Sequence, residues 1–211
     1  MPNWCYNTIT INGSPDKISR IKTIVELKQN DNGGFFRPLI GATIGDDWYD
    51  YNINNYGTKW DIDVTKDMYH HCDENTLSFG CESAWSPPII GMVNVCKKYG
   101  VSCEMLYEEC GNDFYGKTTI SDDGSYVEED YGYREGMYHL DNDYFWESLD
   151  NDMDYLMETL EDEIEGGATI KEVVDNEYTY VSESDKVELI DILEKEYTER
   201  NEKVDRSPLI N

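Results

Sequence analysis

Eleven carboxylates stand between Asp141 and Glu165 with no Lys or Arg among them. One continuous helix over that stretch, rising about 1.5 Å per residue, would carry an acid roughly every 3.4 Å. Phosphates on one strand of B-DNA are spaced by about the same distance. The chemistry this predicts is electrostatic: an anionic surface that fills a basic nucleic-acid-binding groove. The candidate phosphate-like groups are Asp141, Asp143, Glu147, Asp150, Asp152, Asp154, Glu158, Glu161 and Asp162, and the candidate aromatic anchors are Tyr144, Trp146 and Tyr155. The plainer alternative is a solvated acidic face that keeps the protein soluble.

Other constellations point to less. Trp4, Trp60 and Trp85 read first as packing between sheet and helices. The competing reading is an aromatic ligand pocket around Lys59, Trp60, Trp85 and Glu108. His70-His71-Cys72 with Cys81 matches no zinc spacing. Asp46, Asp47, Asp50 and the Asp122-Asp123 pair lack the alternating acids and terminal Glu of a calcium loop. Glu108 and Glu109 are adjacent on an expected strand, so their side chains should diverge rather than form an acid/base pair. There is no phosphate loop, no GxGxxG and no nucleophile elbow. The expectation is therefore no catalytic residue, no metal and no cofactor.

Composition narrows the classes further. The 211 residues hold 45 acids and 17 bases, a net charge of −28, yet aromatics make up 13% of the chain. Disordered acidic chains are poor in aromatics, so a folded core with an anionic surface is expected. That field repels nucleic-acid backbones and anionic membranes. The N-terminal residues lack the basic and apolar regions of a signal peptide. The six Cys form no CxxC pair, which suits reduced, mostly buried thiols in a cytoplasm. The charge is uneven: residues 1–120 carry 16 acids against 10 bases, and residues 121–211 carry 29 against 7. The expected division is therefore 1–120 and 121–211.

The elements that must position these groups follow from periodicity. In the first part a strand is expected at 5–11, a helix at 15–29, and a loop at 30–34. An irregular insertion with a short helix should occupy 35–57, followed by a half-buried strand at 59–64 with Trp60, Ile62 and Val64 on one face. A strand at 76–82 precedes a helix capped by Ser86, opened by Pro87 and closed by Gly100, then a strand at 102–108. The order strand, helix, strand, strand, helix, strand predicts an α+β fold, the ferredoxin-like βαββαβ sandwich. A Tyr-rich hairpin or ordered loop should follow near 126–138. The extension should then hold one helix at 142–165, a capping-box helix from Thr169, a strand at 177–181, and a last helix capped by Asp185 with Val187, Ile190, Leu193 and Tyr197 on its apolar face. Residues 201–211 should fray.

Several short motifs carry a resemblance. Met1-Pro-Asn-Trp-Cys5 with Asn7 and Gly13, Tyr56-Gly-Thr-Lys-Trp-Asp61, Trp85-Ser-Pro-Pro88, and Tyr107-Glu108 with Gly111, Phe114 and Gly116 resemble the YubB-type ferredoxin-like domain family of phages, plasmids and bacteria, over residues 1 to about 118. The chain departs from the family pattern at Tyr56, where Trp is usual, and at Ala84, where a basic or polar residue is usual. The resemblance implies a ferredoxin-like topology and a mobile-element setting but no enzyme activity. Together these readings predict a phage-type protein in the cytoplasm of a bacterial host. It would bind and inhibit a host nucleic-acid-binding or defence protein, contact neither nucleic acid nor membrane directly, and be compatible with homodimerisation. The alternative is a ligand- or nucleotide-binding ferredoxin-like domain.

Overall fold

The structure is a computed structural model that describes residues 3–28, 34–42, 45 and 47–205. The side chains of residues 66, 150 and 202–205 lie outside the described set, as do Gln29 and Asp46 entirely. The chain divides into two compact units, Met1–Gly136 and Met137–Asn211. The division falls 16 residues beyond the charge shift at 120, because the acidic hairpin strand after it pairs with the sheet of the first unit.

The first unit runs β1 (Trp4–Asn12), α1 (Pro15–Lys28), α2 (Phe36–Ile40), α3 (Trp48–Tyr56), β2 (Tyr69–Cys72), β3 (Thr76–Ala84), α4 (Ile89–Tyr99), β4 (Ser102–Glu109), β5 (Phe114–Ile120) and β6 (Tyr126–Tyr131). Every pairing is antiparallel, and the sheet order is β2-β3-β1-β4-β5-β6. The first four strands in that order, with α1 and α4 as crossovers, form the ferredoxin-like βαββαβ arrangement, and β5 and β6 extend its edge as a hairpin.

One sheet face is apolar by strict alternation. On β1, Ile9 is in register with Phe79 on β3 and Met105 on β4, and Ile11 with Leu77 and Cys103; these, with Cys5, Cys81 and Tyr107, join one buried core with Ile18, Ile21 and Val25 of α1 and Met92, Val95 and Cys96 of α4. The insertion is helical and adds Phe35, Phe36, Leu39 and Tyr56 to this core. Its ring pairs include Phe36 stacked on Tyr56 at 5.2 Å.

Two expectations for this unit are corrected. Residues 59–64 form no strand, and β2 lies at Tyr69–Cys72 instead. Ile62 and Val64 are buried as their spacing suggested, but the backbone polar groups are satisfied elsewhere: the Ile62 carbonyl accepts from the Phe35 N–H at 2.9 Å. Alternating burial therefore arises here without a ladder. The second correction concerns α4, which starts at Ile89 rather than at Pro87. Pro87 precedes Pro88, and a residue before proline is pushed out of the helical region. The Ser86 hydroxyl does not cap the helix; it donates to the Gly57 carbonyl at 3.1 Å. At the other end Gly100 is the left-handed closing residue, with φ 63°.

The second unit holds the end of α5 (Tyr133–Leu140), then α6 (Asn142–Asn151), α7 (Met153–Glu165), α8 (Ile170–Glu177) and α9 (Glu183–Asp205). The single helix expected at 142–165 is two, interrupted at Asp152 with φ −95° and ψ 7°. Asn151-Asp152 is a weak helix-forming pair whose short polar side chains compete with the backbone. Residues 177–181 are not a strand: Tyr178 ends α8, its N–H donating to the Val174 carbonyl at 3.0 Å, and a turn follows. The capping box at Thr169 and Glu172 is present. In α9 Lys186, Leu189 and Leu193 are buried and Ile190 and Tyr197 half-buried, while Val187 is 59% exposed, so of the four residues expected on the apolar face only Val187 is turned out. Ser182, not Asp185, takes the first turn, its hydroxyl accepting from the Asp185 N–H at 3.2 Å. Residues 201–205 continue the helix, and 206–211 lie outside the described residues.

Candidate functional site

Two surfaces qualify, one in each unit. The first is a cavity of about 800 Å³ on the sheet face opposite α1–α4. Alternation that buries Cys5, Asn7 and Ile9 turns Trp4, Tyr6 and Thr8 to this side. Across the sheet, Tyr6 is in register with Glu82 on β3 and Glu108 on β4, and Glu108 with Tyr115 on β5. Adjacent strands lie about 4.8 Å apart, so acids and aromatics alternate along one transverse row. The next row contains Gly80, Thr8 and Leu106. Gly80 leaves the floor low, and a Cβ there would come within 3.0 Å of His70 Nε2.

The chain from Gly57 to His70 makes the cavity wall, supplying Trp60, Asp61, Asp63, Met68 and His70. This wall is pinned at two points. Thr58 is buried, and its hydroxyl donates to the Ala84 carbonyl at 3.0 Å while accepting from the Ala84 N–H at 3.2 Å. Asp61 accepts from the backbone N–H groups of Phe35, Phe36 and Arg37 at 3.1, 2.7 and 2.8 Å. Burial raises the Asp61 carboxyl above its ordinary range, against the opposite pull of those N–H groups. Between the two anchors, Trp60 pairs with Trp4 at 5.9 Å between ring centroids, and Lys59 Nζ lies 4.7 Å from the Trp60 centroid.

Of the pocket residues named from sequence, Trp60 and Glu108 line this cavity. Lys59 is held on Trp60, and Trp85 lies outside the lining. None of the three tryptophans is a core residue: Trp4, Trp60 and Trp85 are 41%, 38% and 51% exposed. Trp4 falls on the sheet face opposite the helices by the alternation of β1, and Trp60 pairs with it there. Trp85 has φ 75°, a left-handed conformation unusual for a bulky residue, and its N–H donates to the Asn3 carbonyl at 3.0 Å. Sequence reasoning missed Tyr6 and Glu82 and weighed His70 only as a metal ligand. The signal for Tyr6 was present in the β1 alternation, since the face opposite Cys5 and Ile9 is Trp4, Tyr6 and Thr8.

Glu108 and Glu109 diverge as expected. Glu108 faces the cavity, while Glu109 is buried on the other side, its carboxylate accepting from the Gly111 N–H at 2.8 Å. His71 pairs with Asp73 at 3.0 Å, and Cys72 is exposed. Among the described residues no group of three or more His, Cys, Asp or Glu side chains is placed to hold a metal ion. No helix among them is long and apolar enough to cross a membrane.

The second surface is the outer side of α6 and α7. Phe145, Leu149, Met157 and Leu160 are buried, which turns the acids outward. Asp143, Glu147, Asp152, Asp154, Glu158, Glu161 and Asp162 are exposed, whereas Asp141 is half-buried as the residue capping α6. The Asp150 side chain lies outside the described residues. Tyr155 is 68% exposed, and Tyr144 and Trp146 are half-buried, with the Trp146 indole donating to Asn142 at 3.1 Å. Arg200 of α9 pairs with Asp154 and with Glu196. Asp152 interrupts the one helix on which the 3.4 Å spacing rested, so these acids are divided between α6 and α7.

Comparison with known proteins concerns the first unit and its continuation. Residues 56–150 match the family described as a ferredoxin-like domain in Api92-like protein. The matched stretch leaves out β1 and α1, which complete the βαββαβ unit. A solved structure, the crystal structure of a protein api92 from Yersinia pseudotuberculosis, is similar at 9% sequence identity and a TM-score of 0.46, covering 63% of this chain and 99% of that one. No curated protein matches the chain. The chain is thus an α+β protein with an antiparallel sheet, a ferredoxin-like domain similar to the Api92-like one, and a helical C-terminal region.

Proposed function

We propose that this is a non-enzymatic binding protein that engages a basic, nucleic-acid-binding protein through the acidic side of α6 and α7 and blocks its groove. A host defence protein is the natural target if the YubB-type resemblance of residues 1–118 reflects a phage or plasmid setting, and a bacterial cytoplasm is then the place of action. The observation that carries the reading is the outward placement of the α6 and α7 acids over an inner side of Phe145, Leu149, Met157 and Leu160, in a stretch with eleven acids and no cation. Long-range attraction steers a basic partner to this surface, and Tyr155 supplies an exposed ring to anchor it.

The test is competition. The chain and a copy with the acids of 141–165 changed to Asn and Gln are used to capture partners from a bacterial host. Nucleic-acid-binding proteins that are held by the first copy, lost by the second and displaced by duplex DNA support the reading. The same partners on both copies, or partners that duplex DNA fails to displace, overturn it. A second reading, a ligand-binding ferredoxin-like domain, is favoured by the cavity between the Gly57–His70 wall and the sheet.

A further inference from the structure

We propose that the cavity on the sheet face opposite α1–α4 takes an arginine-bearing extended segment of a partner protein. The inference rests on residues of the first unit alone and stands apart from the reading of α6 and α7.

The lining decides the sign of the occupant. The rings of Trp4, Tyr6, Trp60, Tyr107 and Tyr115 and the carboxylates of Asp61, Asp63, Glu82 and Glu108 line the cavity, and no Lys or Arg is among its described lining residues. Aromatic platforms also stack nucleobases, but a nucleotide brings phosphates, and this wall repels them. A cation meets two attractions here: the faces of Trp4, Tyr6 and Trp60, and the carboxylates that flank Tyr6 on both sides. Lys59 already lies over Trp60, 4.7 Å from its centroid, so the wall holds a cation of its own on that ring.

Shape selects among cations. About 800 Å³ is far more than a single metal ion or ammonium needs and is in the range of a peptide-sized ligand. Sites for free small molecules cover most of the ligand surface. Here Trp4, Tyr6 and Trp60 are 41%, 54% and 38% exposed, so the cavity is a trough that leaves one side of its occupant uncovered, as suits a side chain carried on a larger body. Within the basic side chains, a guanidinium lies flat on a ring while its N–H groups pair with a carboxylate in the same plane. The alternation Glu82, Tyr6, Glu108 offers those two partners side by side.

The experiment titrates the full chain at about 150 mM salt, where surface attraction is screened beyond ~8 Å. The ligands are the peptide acetyl-Gly-Arg-Gly-Arg-Gly-amide, its lysine and citrulline counterparts, and spermine. The indole N–H signals of Trp4, Trp60 and Trp146 are followed by NMR, so the parent protein reports both surfaces. The arginine peptide is expected to shift Trp4 and Trp60 and leave Trp146 unmoved. The citrulline peptide, and the arginine peptide on a Glu82→Gln, Glu108→Gln variant, should each bind at least tenfold more weakly. A copy with neutralised 141–165 acids should bind within threefold of the parent. Equal binding by the citrulline or lysine peptide, an unaffected double variant, tighter binding of spermine, shifts confined to Trp146, or no saturation by millimolar peptide would each overturn the proposal.

Discussion

Tyr107 and Gly116 face one another in register across β4 and β5. The ring covers the glycine so closely that an added Cβ would sit 2.4 and 2.5 Å from two ring carbons and 2.6 Å from the hydroxyl oxygen, and that hydroxyl donates to Glu128 on β6 at 2.9 Å. One missing side chain thus lets a tyrosine of β4 reach across β5 and tie β6 to the sheet. Gly116→Val must push that ring aside, and we expect a loss of about 1–3 kcal/mol, the usual cost of overpacking, read from chemical denaturation. Thiol chemistry gives a second residue-scale outcome. Cys5, Cys81, Cys96 and Cys103 are buried, and burial pushes the Cys5 thiol up to about 12, while Cys72 and Cys110 are exposed. Iodoacetamide at pH 8 is expected to alkylate Cys72 and Cys110 in the native protein and all six in denaturant, as counted by mass spectrometry.

At the scale of elements, α8 shows how a cap defines a helix and where its stability should fail. The Thr169 N–H and hydroxyl both donate to Glu172 at 2.9 Å, while the Glu172 N–H donates back to the hydroxyl at 3.2 Å. These bonds, the backbone one first, hold the Glu172 carboxyl below its ordinary range. A depressed carboxyl stabilises the fold above its unfolded value of about 4.3 and loses that contribution as pH falls through the folded value. Glu172→Ala should therefore lower the unfolding temperature near pH 6, with the gap from the parent closing below about pH 4. A gap independent of pH would place the effect in helix propensity instead.

Elements of this kind were legible in sequence because their signals are local. The capping box, Gly100 after Lys97-Lys98, and the alternation of β1 each lie within a few residues, and the order of the ferredoxin-like unit was read from such signals with its second strand misplaced at 59–64 instead of Tyr69–Cys72. What could not be read is tertiary. The Ile62 and Val64 alternation is real but serves a segment bonded to α2 rather than a sheet. The Phe145-to-Ile164 stripe continues across Asp152, yet the helix does not. The cavity was half legible: Trp60 and Glu108 were named, whereas Glu82 joins them only through a register that sequence spacing leaves undefined.

Over the whole molecule, the second unit carries 23 acids and 6 bases in 75 residues, and the first carries 22 and 11 in 136. A small soluble domain needs a net charge of only about 2–8 in magnitude. Charge in this excess repels itself in the compact state, and screening weakens that repulsion within a Debye length, which shrinks from about 30 Å at 0.01 M to ~10 Å at 0.1 M. Salt should therefore stabilise this protein, the reverse of what a fold held by surface ion pairs would show. We expect the unfolding temperature to rise by several degrees between 10 and 300 mM sodium chloride in calorimetry, and the rise to shrink in the copy whose 141–165 acids are amides. A flat or falling midpoint would mean that the carboxylates are compensated within the chain. In that case the acidic side of α6 and α7 would have no unspent field to offer a basic partner, and the electrostatic reading of this surface would lose its footing.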